Sequence, residues 1–245
     1  MHAVILAGGN QGKSSNTFGS IKALCDFKGI PMIKYVINAL RESGHIDKIM
    51  VIGDQGKLKK IIGDDADVLT QEEESMIDNL IVATNYFANE DRLLVSTCDI
   101  PLLKGEMIAD FIEAGLKENK ELIYPIVERN ICEGAFPDVK RTFVTLKEGA
   151  FTGGNLVLLD PKAMGKIEAI SRMMVENRKN PVKMSRLLGW KFLLLLLLKR
   201  LTIEDIENHI EKTFNIKAKA MINLNPEVGN DVDRLEDVAI LEKYL

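Results

Sequence analysis

Ala3-Val4-Ile5-Leu6-Ala7-Gly8-Gly9 is the stretch on which the reading of the fold turns. Four apolar residues are too short a run for a buried helix, and they lead directly into paired glycines. They read as a strand covered on both faces that ends in a tight loop. The same signature recurs downstream. Lys48–Ile52, Asp67–Leu69, Arg92–Ser96 and Leu122–Val127 read as further strands. Between them lie helical patterns. Pro31 opens a helix over Met32–Ser43, Ile33, Val36, Ile37 and Leu40 share one face, and Gly44 stops it. Others fall near Lys57–Ile62, at Met76–Ala88 and at Gly105–Asn119. Near-continuous apolar strands separated by helices predict an α/β fold with a doubly wound, mostly parallel sheet, joined by right-handed crossovers.

After about residue 130 the pattern changes. Phe143–Leu146 and Asn155–Leu159 read as antiparallel strands around Lys147-Glu148-Gly149. From Pro161 to about Thr213 the signal is helical, with breaks at Asn180-Pro181 and before Thr202. Thr202 reads as an N-cap, with Glu204 and Asp205 placed to complement the helix dipole. Lys219–Leu224 returns as a strand and Asp237–Leu245 as a closing helix. The expectation is one domain over residues 1–245 with a mainly helical insertion at about 161–213.

Composition limits the classes. The 32 Lys and Arg nearly balance 36 Asp and Glu, so a general electrostatic grip on nucleic acid is not expected. One local oddity is Phe192 followed by six leucines, Leu193–Leu198, between Lys191 and Lys199-Arg200. The run is far shorter than the roughly 20 residues a spanning helix needs. It is taken as a core helix anchoring the insertion, in preference to a subunit interface or a membrane-surface contact. No membrane partner is expected, and a homo-oligomer is left open. Met1–Leu6 has no basic lead, so no export signal is expected. Cys25, Cys98 and Cys132 lack metal or disulfide spacing, which fits a reducing, cytoplasmic setting.

Three segments fall where a parallel sheet binds its ligand, beyond the carboxyl ends of the strands. Leu6-Ala7-Gly8-Gly9 leads into a polar loop, Asn10–Ser20, and then Lys22-Ala23-Leu24. Paired glycines allow backbone N–H groups close to a phosphate or base edge, and a lysine neutralises phosphate charge. In Leu93-Leu94-Val95-Ser96-Thr97-Cys98-Asp99-Ile100-Pro101-Leu102 a strand delivers Asp99 at its end, either as a Mg²⁺ ligand beside a triphosphate or as a cap for the next turn. In Gly229-Asn230-Asp231-Val232-Asp233-Arg234 alternation puts Asp231 and Asp233 on one side, where either completes a metal site with Asp99 or serves an acidic helix start. Asn155, beside Gly153-Gly154, is a candidate polar contact for an acceptor. Lys140 and Arg141 are candidates for an acceptor phosphate, against the plainer reading of a solvated basic pair.

The ordered set LAGG, KAL with Gly29-Ile30-Pro31-Met32, CDIPLL and DVDRLEDV resembles the nucleotidyltransferases of the molybdenum-cofactor guanylyltransferase-like superfamily. The resemblance covers Met1 to about Ile126 and the last twenty or so residues. It implies a nucleotide-diphospho-sugar transferase, glycosyltransferase-A-like fold. It further implies that an NTP and a phosphorylated small molecule are the partners and Mg²⁺ the cofactor. By this likeness Leu6, Ala7, Gly8 and Gly9 hold the nucleotide, Lys22 contacts the triphosphate, and Asp99 with Asp233 binds the metal. Gln71 lies in a region that often reads the base. Lys13 stands where the family has an arginine, and a lysine lacks the bidentate fork. Two rivals share parts of the pattern. A nucleotide-sugar transferase would favour a DxD pair in mid-chain, and a non-catalytic nucleotide-binding module would fit the missing arginine. A Rossmann dehydrogenase would need a G-x-G-x-x-G fingerprint, which is absent.

Overall fold

The computed structural model describes residues 1–8, 21–177 and 189–245. The described strands are β1 His2–Leu6, β2 Asp26–Phe27, β3 Ile30–Pro31, β4 Lys48–Gly53, β5 Val68–Gln71, β6 Leu93–Thr97, β7 Leu122–Glu128, β8 Val144–Thr145, β9 Ala150–Gly153, β10 Leu156–Leu159 and β11 Ala218–Ile222. The described α-helices are α1 Met32–Glu42, α2 Gln55–Ile62, α3 Met76–Tyr86, α4 Gly105–Leu116, α5 Arg129–Ala135, α6 Met164–Asn177, α7 Trp190–Leu197, α8 Ile203–Phe214 and α9 Leu235–Leu241.

Nine strands form one sheet in the order β5-β4-β1-β6-β10-β7-β9-β8, with β11 paired to β7. β1 pairs in parallel with β4 and β6, β4 with β5, and β7 with β11. β10 enters antiparallel between β6 and β7. The sheet is therefore the mostly parallel, doubly wound one that the first half of the chain predicts. Side chains alternate across it with a period of two. Ala3 and Ile5 of β1 and Ile49 and Val51 of β4 join a cluster that includes α1, α2 and α4. Val4, Met50 and Ile52 face the opposite cluster, with α3 and the start of α6.

Helix α1 shows what holds these layers together. Ile33, Val36, Ile37 and Leu40 recur at helical spacing, and none is more than 2% exposed. Full burial of each is worth roughly 1.5–3 kcal/mol before the entropy of ordering is subtracted. Its N-cap position is Pro31, whose fixed φ suits a helix start. α4 comes so near that a Cβ on Gly105 would lie 2.7 Å from the Glu42 carbonyl carbon and 2.9 Å from the Ser43 nitrogen.

Several sequence expectations are corrected. Phe143–Leu146 and Asn155–Leu159 do not pair with each other. β8 pairs with β9, while β10 lies in the middle of the sheet. β9 continues toward β10 along β7, but the register with β7 slips by two residues across Gly153–Leu158, where the strand leaves β7 to reach β6. Short polar stretches such as Glu148-Gly149-Ala150 carry no alternation signal, which is why β9 and the short helix α5 were not expected. The closing helix starts earlier and ends earlier, at Leu235–Leu241, followed by a 3₁₀ turn at Glu242–Tyr244.

The helical stretch after Pro161 contains α6, α7 and α8, and the expected break at Asn180-Pro181 lies outside the described residues. Thr202 caps α8: its hydroxyl accepts from the Asp205 N–H at 2.9 Å, and the Asp205 carboxylate accepts from the Thr202 N–H at 3.0 Å. The leucine run forms α7 but is not buried all round. Phe192, Leu195 and Leu196 pack against Leu146, Phe151 and Leu201, whereas Trp190, Leu194, Leu197 and Leu198 face outward. No described helix is long and apolar enough to cross a membrane.

Candidate active site

The parallel strands β5, β4, β1 and β6 end side by side at Gln71, Gly53, Leu6 and Thr97. Ala7 continues β1 by donating its N–H to the Ile52 carbonyl at 2.8 Å, and Gly8 follows as an exposed loop residue. A Cβ on Gly8 would run into the Glu72 carboxylate, which would have to swing aside, and would approach Asn79 Nδ2 to 3.3 Å. Gly9 and Lys13 lie outside the described residues. Gln71 sits at the rim, where its side-chain carbonyl accepts from the Gln55 N–H at 3.2 Å.

Asp99 stands two residues beyond β6 and is 8% exposed. Its backbone carbonyl accepts from the Val232 N–H at 2.9 Å, which lashes the C-terminal acidic segment to the end of β6. Val232 is fully buried among Phe27, Met32, Leu102 and Phe136, so the extended chain presents Asp231 and Asp233 on the other side. One carboxylate oxygen from each of Asp99, Asp231 and Asp233 falls within 4.8 Å of the others, the group among the described residues that could hold a metal ion.

Among the described residues two cations meet these acids. Lys22 Nζ lies 2.5 Å from Asp99 Oδ2 and 3.1 Å from Asp233 Oδ1. Burial disfavours the charged ammonium, but Asp99 and then Asp233 outweigh it and hold the Lys22 pKa above its usual value. A guanidinium nitrogen of Arg141 lies 2.6 Å from Asp231 Oδ1, with both side chains largely buried. Burial raises the Asp231 pKa, and Arg141 more than offsets that, so the carboxylate stays ionised below the usual range. Among the described residues, three carboxylates stand against two cations in this cluster. Asp99 Oδ1 is buried and has no hydrogen-bond partner among the described residues. A buried carboxylate oxygen beside two more acids, all hard oxygen donors, fits a hard divalent cation.

A family model for the MobA-like NTP transferase domain matches residues 3–189. The chain belongs to this family, and it is a nucleotidyltransferase. The MobA-like chain is similar to a hypothetical transferase from Thermus thermophilus, at 36% identity and a TM-score of 0.84, over 97% of this chain and 100% of that one. Its fold is also that of a nucleotidyl transferase from Methanothermobacter, at 13% identity and TM-score 0.58, over 99% and 96% of the two chains. A 4-diphosphocytidyl-2C-methyl-D-erythritol synthase from Anaerococcus prevotii shares it at 12% identity and TM-score 0.58, with the same coverage. No match was found among curated proteins.

Within this MobA-like transferase, Lys22, Asp99, Asp231 and Asp233 come together, with Arg141 joined to them through Asp231. Asn155 is differently engaged. Its side-chain amide and backbone N–H both donate to the Val228 carbonyl, at 3.2 and 2.9 Å, which ties the start of β10 to the turn before the acidic segment. Sequence reasoning missed Asn79. This residue of α3 is 5% exposed, its carbonyl oxygen accepts from the Glu73 N–H at 2.7 Å, and its amide faces Gly8. A polar residue on the buried face of a helix was the available signal. It also missed Tyr124, whose hydroxyl is pushed above its usual pKa by burial and by the charge of Asp231.

Proposed function

We propose that the protein transfers a nucleoside monophosphate from an NTP to a phosphate oxygen of a small phosphorylated acceptor, releasing pyrophosphate in a Mg²⁺-dependent reaction. The observation that carries this reading is the meeting of Lys22, Asp99, Asp231 and Asp233 beside the Leu6-Ala7-Gly8 loop. An acceptor phosphate is already ionised at neutral pH, so its oxygen attacks the α-phosphorus without a general base. A new P–O bond forms in line as the α–β bridging bond breaks, and the bridging oxygen leaves with pyrophosphate.

Asp99, Asp231 and Asp233 are the residues that would hold Mg²⁺. Once bound, such an ion supplies charge neutralisation and orientation of the phosphate oxygens. The chain's own part is positioning and electrostatics. Gly8 leaves backbone access to the nucleotide, and the Asn79 amide holds the loop that packs over it. Lys22 contributes a positive charge to the triphosphate, and as a lysine it does so as a point charge without bidentate geometry. Arg141 orients Asp231. The acceptor approaches from the side of Lys140 and Arg141, where a cleft of about 500 Å³ is lined by both together with Asp231, Asp233 and Arg234.

Asp99→Asn tests the reading. The substitution keeps shape and removes charge. NTP-dependent pyrophosphate release, measured over a panel of NTPs and phosphorylated acceptors, should fall by about 100-fold or more while the circular dichroism spectrum stays that of the parent. Undiminished release by Asp99→Asn would sink the metal assignment.

A further inference from the structure

Helix α7 carries an apolar face that stands exposed among the described residues. Trp190, Leu194, Leu197 and Leu198 follow i, i+4, i+7, i+8 spacing and so form one stripe. Their exposures are 75%, 44%, 80% and 55%. The helix cannot roll this stripe inward. Its other face is held by Phe192, Leu195 and Leu196 against Leu146, Phe151, Leu201, Ile203 and Ile206.

Charge selects the partner. Lys191 in the first turn and Lys199 and Arg200 after the last are all exposed, so cations bracket the stripe at both ends. Between Gly189 and Glu204 the sequence carries these three cations and no Asp or Glu. Two acids at the start of α8 are engaged by backbone: Asp205 accepts from the Thr202 N–H and Glu148 from the Ile203 N–H. A second copy of the chain would bring the same three exposed cations against each other, a like-charge contact. An anionic lipid surface meets both properties at once. Apolar side chains enter the headgroup–acyl boundary, the flanking cations meet lipid phosphates, and eight residues, about 12 Å of helix, lie in the plane without crossing it.

We propose that α7 docks the protein on the surface of an anionic phospholipid bilayer through Trp190, Leu194, Leu197 and Leu198. This departs from the sequence expectation of no membrane partner, which treated the leucine run as core. The inference does not depend on the proposed reaction.

Trp190 is the single tryptophan of the chain, so its fluorescence reports on the stripe directly. The full-length protein is mixed with vesicles of phosphatidylcholine alone, or of phosphatidylcholine with phosphatidylglycerol, at low and high salt. With anionic vesicles the protein should float with lipid, and Trp190 emission should shift to shorter wavelength and lose accessibility to iodide. Phosphatidylcholine vesicles should bind far less, and salt should weaken binding to the anionic ones. Leu197→Glu with Leu198→Glu should lower partitioning at least about 10-fold with an unchanged circular dichroism spectrum, because both side chains already face solvent. Lys199→Glu with Arg200→Glu should weaken binding mainly at low salt. The proposal is overturned if the parent does not float with anionic vesicles or if the leucine variant binds as the parent does. It is equally overturned if Trp190 is shielded from iodide without lipid in a dimer that the leucine variant splits.

Discussion

Replacing Arg141 by methionine keeps most of the side chain's apolar length and removes the guanidinium from Asp231. The two groups meet at 2.6 Å, and their side chains are 12% and 19% exposed. Removing one partner of a well-buried ion pair costs about 3–5 kcal/mol, and a single charge-assisted hydrogen bond contributes about 1.5–3 kcal/mol. Asp231 keeps some solvent and feels Lys22 as well, so the loss belongs near the lower figures, about 2–3 kcal/mol. For a chain of this size each kcal/mol moves Tm by roughly 2–4 °C, which gives a fall of about 4–12 °C. The assay is thermal unfolding followed by circular dichroism, at pH 7 with a chelator present. The pH dependence follows from the sign of the shift. The folded pKa of Asp231 lies below its ordinary 3.8, so its contribution is complete above that value and disappears as pH falls through the folded pKa. The gap between parent and variant should therefore shrink only in strong acid. A Tm change under about 1 °C at neutral pH would refute the pairing. If Tm were unchanged while the acceptor concentration for half-saturation rose, Arg141 would be contacting the acceptor and not holding Asp231.

Asn79→Ala removes the acceptor for the Glu73 N–H and loosens the loop over Gly8; steady-state kinetics should show a KM for NTP raised about 10-fold with a smaller change in kcat, the cost of one buried hydrogen bond of about 1–2 kcal/mol. Gly105→Ala gains helix propensity worth up to about 1 kcal/mol, but its Cβ meets the backbone of Glu42 and Ser43, which cannot swing aside as a side chain can. Urea unfolding should show a net loss of about 1–3 kcal/mol, and a stabilised variant would contradict the close approach of α1 and α4.

Much of the fold was legible because its signals are local. Ala3–Leu6, Ile49–Ile52 and Leu93–Val95 are apolar without a break, as strands buried on both faces must be, and each is closed by glycine or polar residues. Ile33, Val36, Ile37 and Leu40 announce a helix by spacing alone. Asp99 was legible as a strand-end acid, and Asp231 and Asp233 as a pair set on one side by alternation around Val232. Asn79 was not, because its importance lies in facing Gly8, seventy-odd positions earlier in the chain. Nor could Arg141 be distinguished from a solvated basic residue until Asp231 was found beside it.

By itself the sequence determined the alternation of the longer strands and helices as far as β7, the loop after β1, and the residue types on offer for chemistry, since these follow from backbone preference and side-chain period. Tertiary structure decided the rest. Lys22 meets Asp233 across 211 positions, and that contact depends on Val232 being buried and its N–H being bonded to the Asp99 carbonyl. Insertion of β10 between β6 and β7 is a choice of partner among strands of similar composition. The leucine run shows the same limit on the outside of the molecule. Composition says that Leu193–Leu198 will avoid water, but only the packing of Phe192, Leu195 and Leu196 decides which face is already covered and which remains exposed.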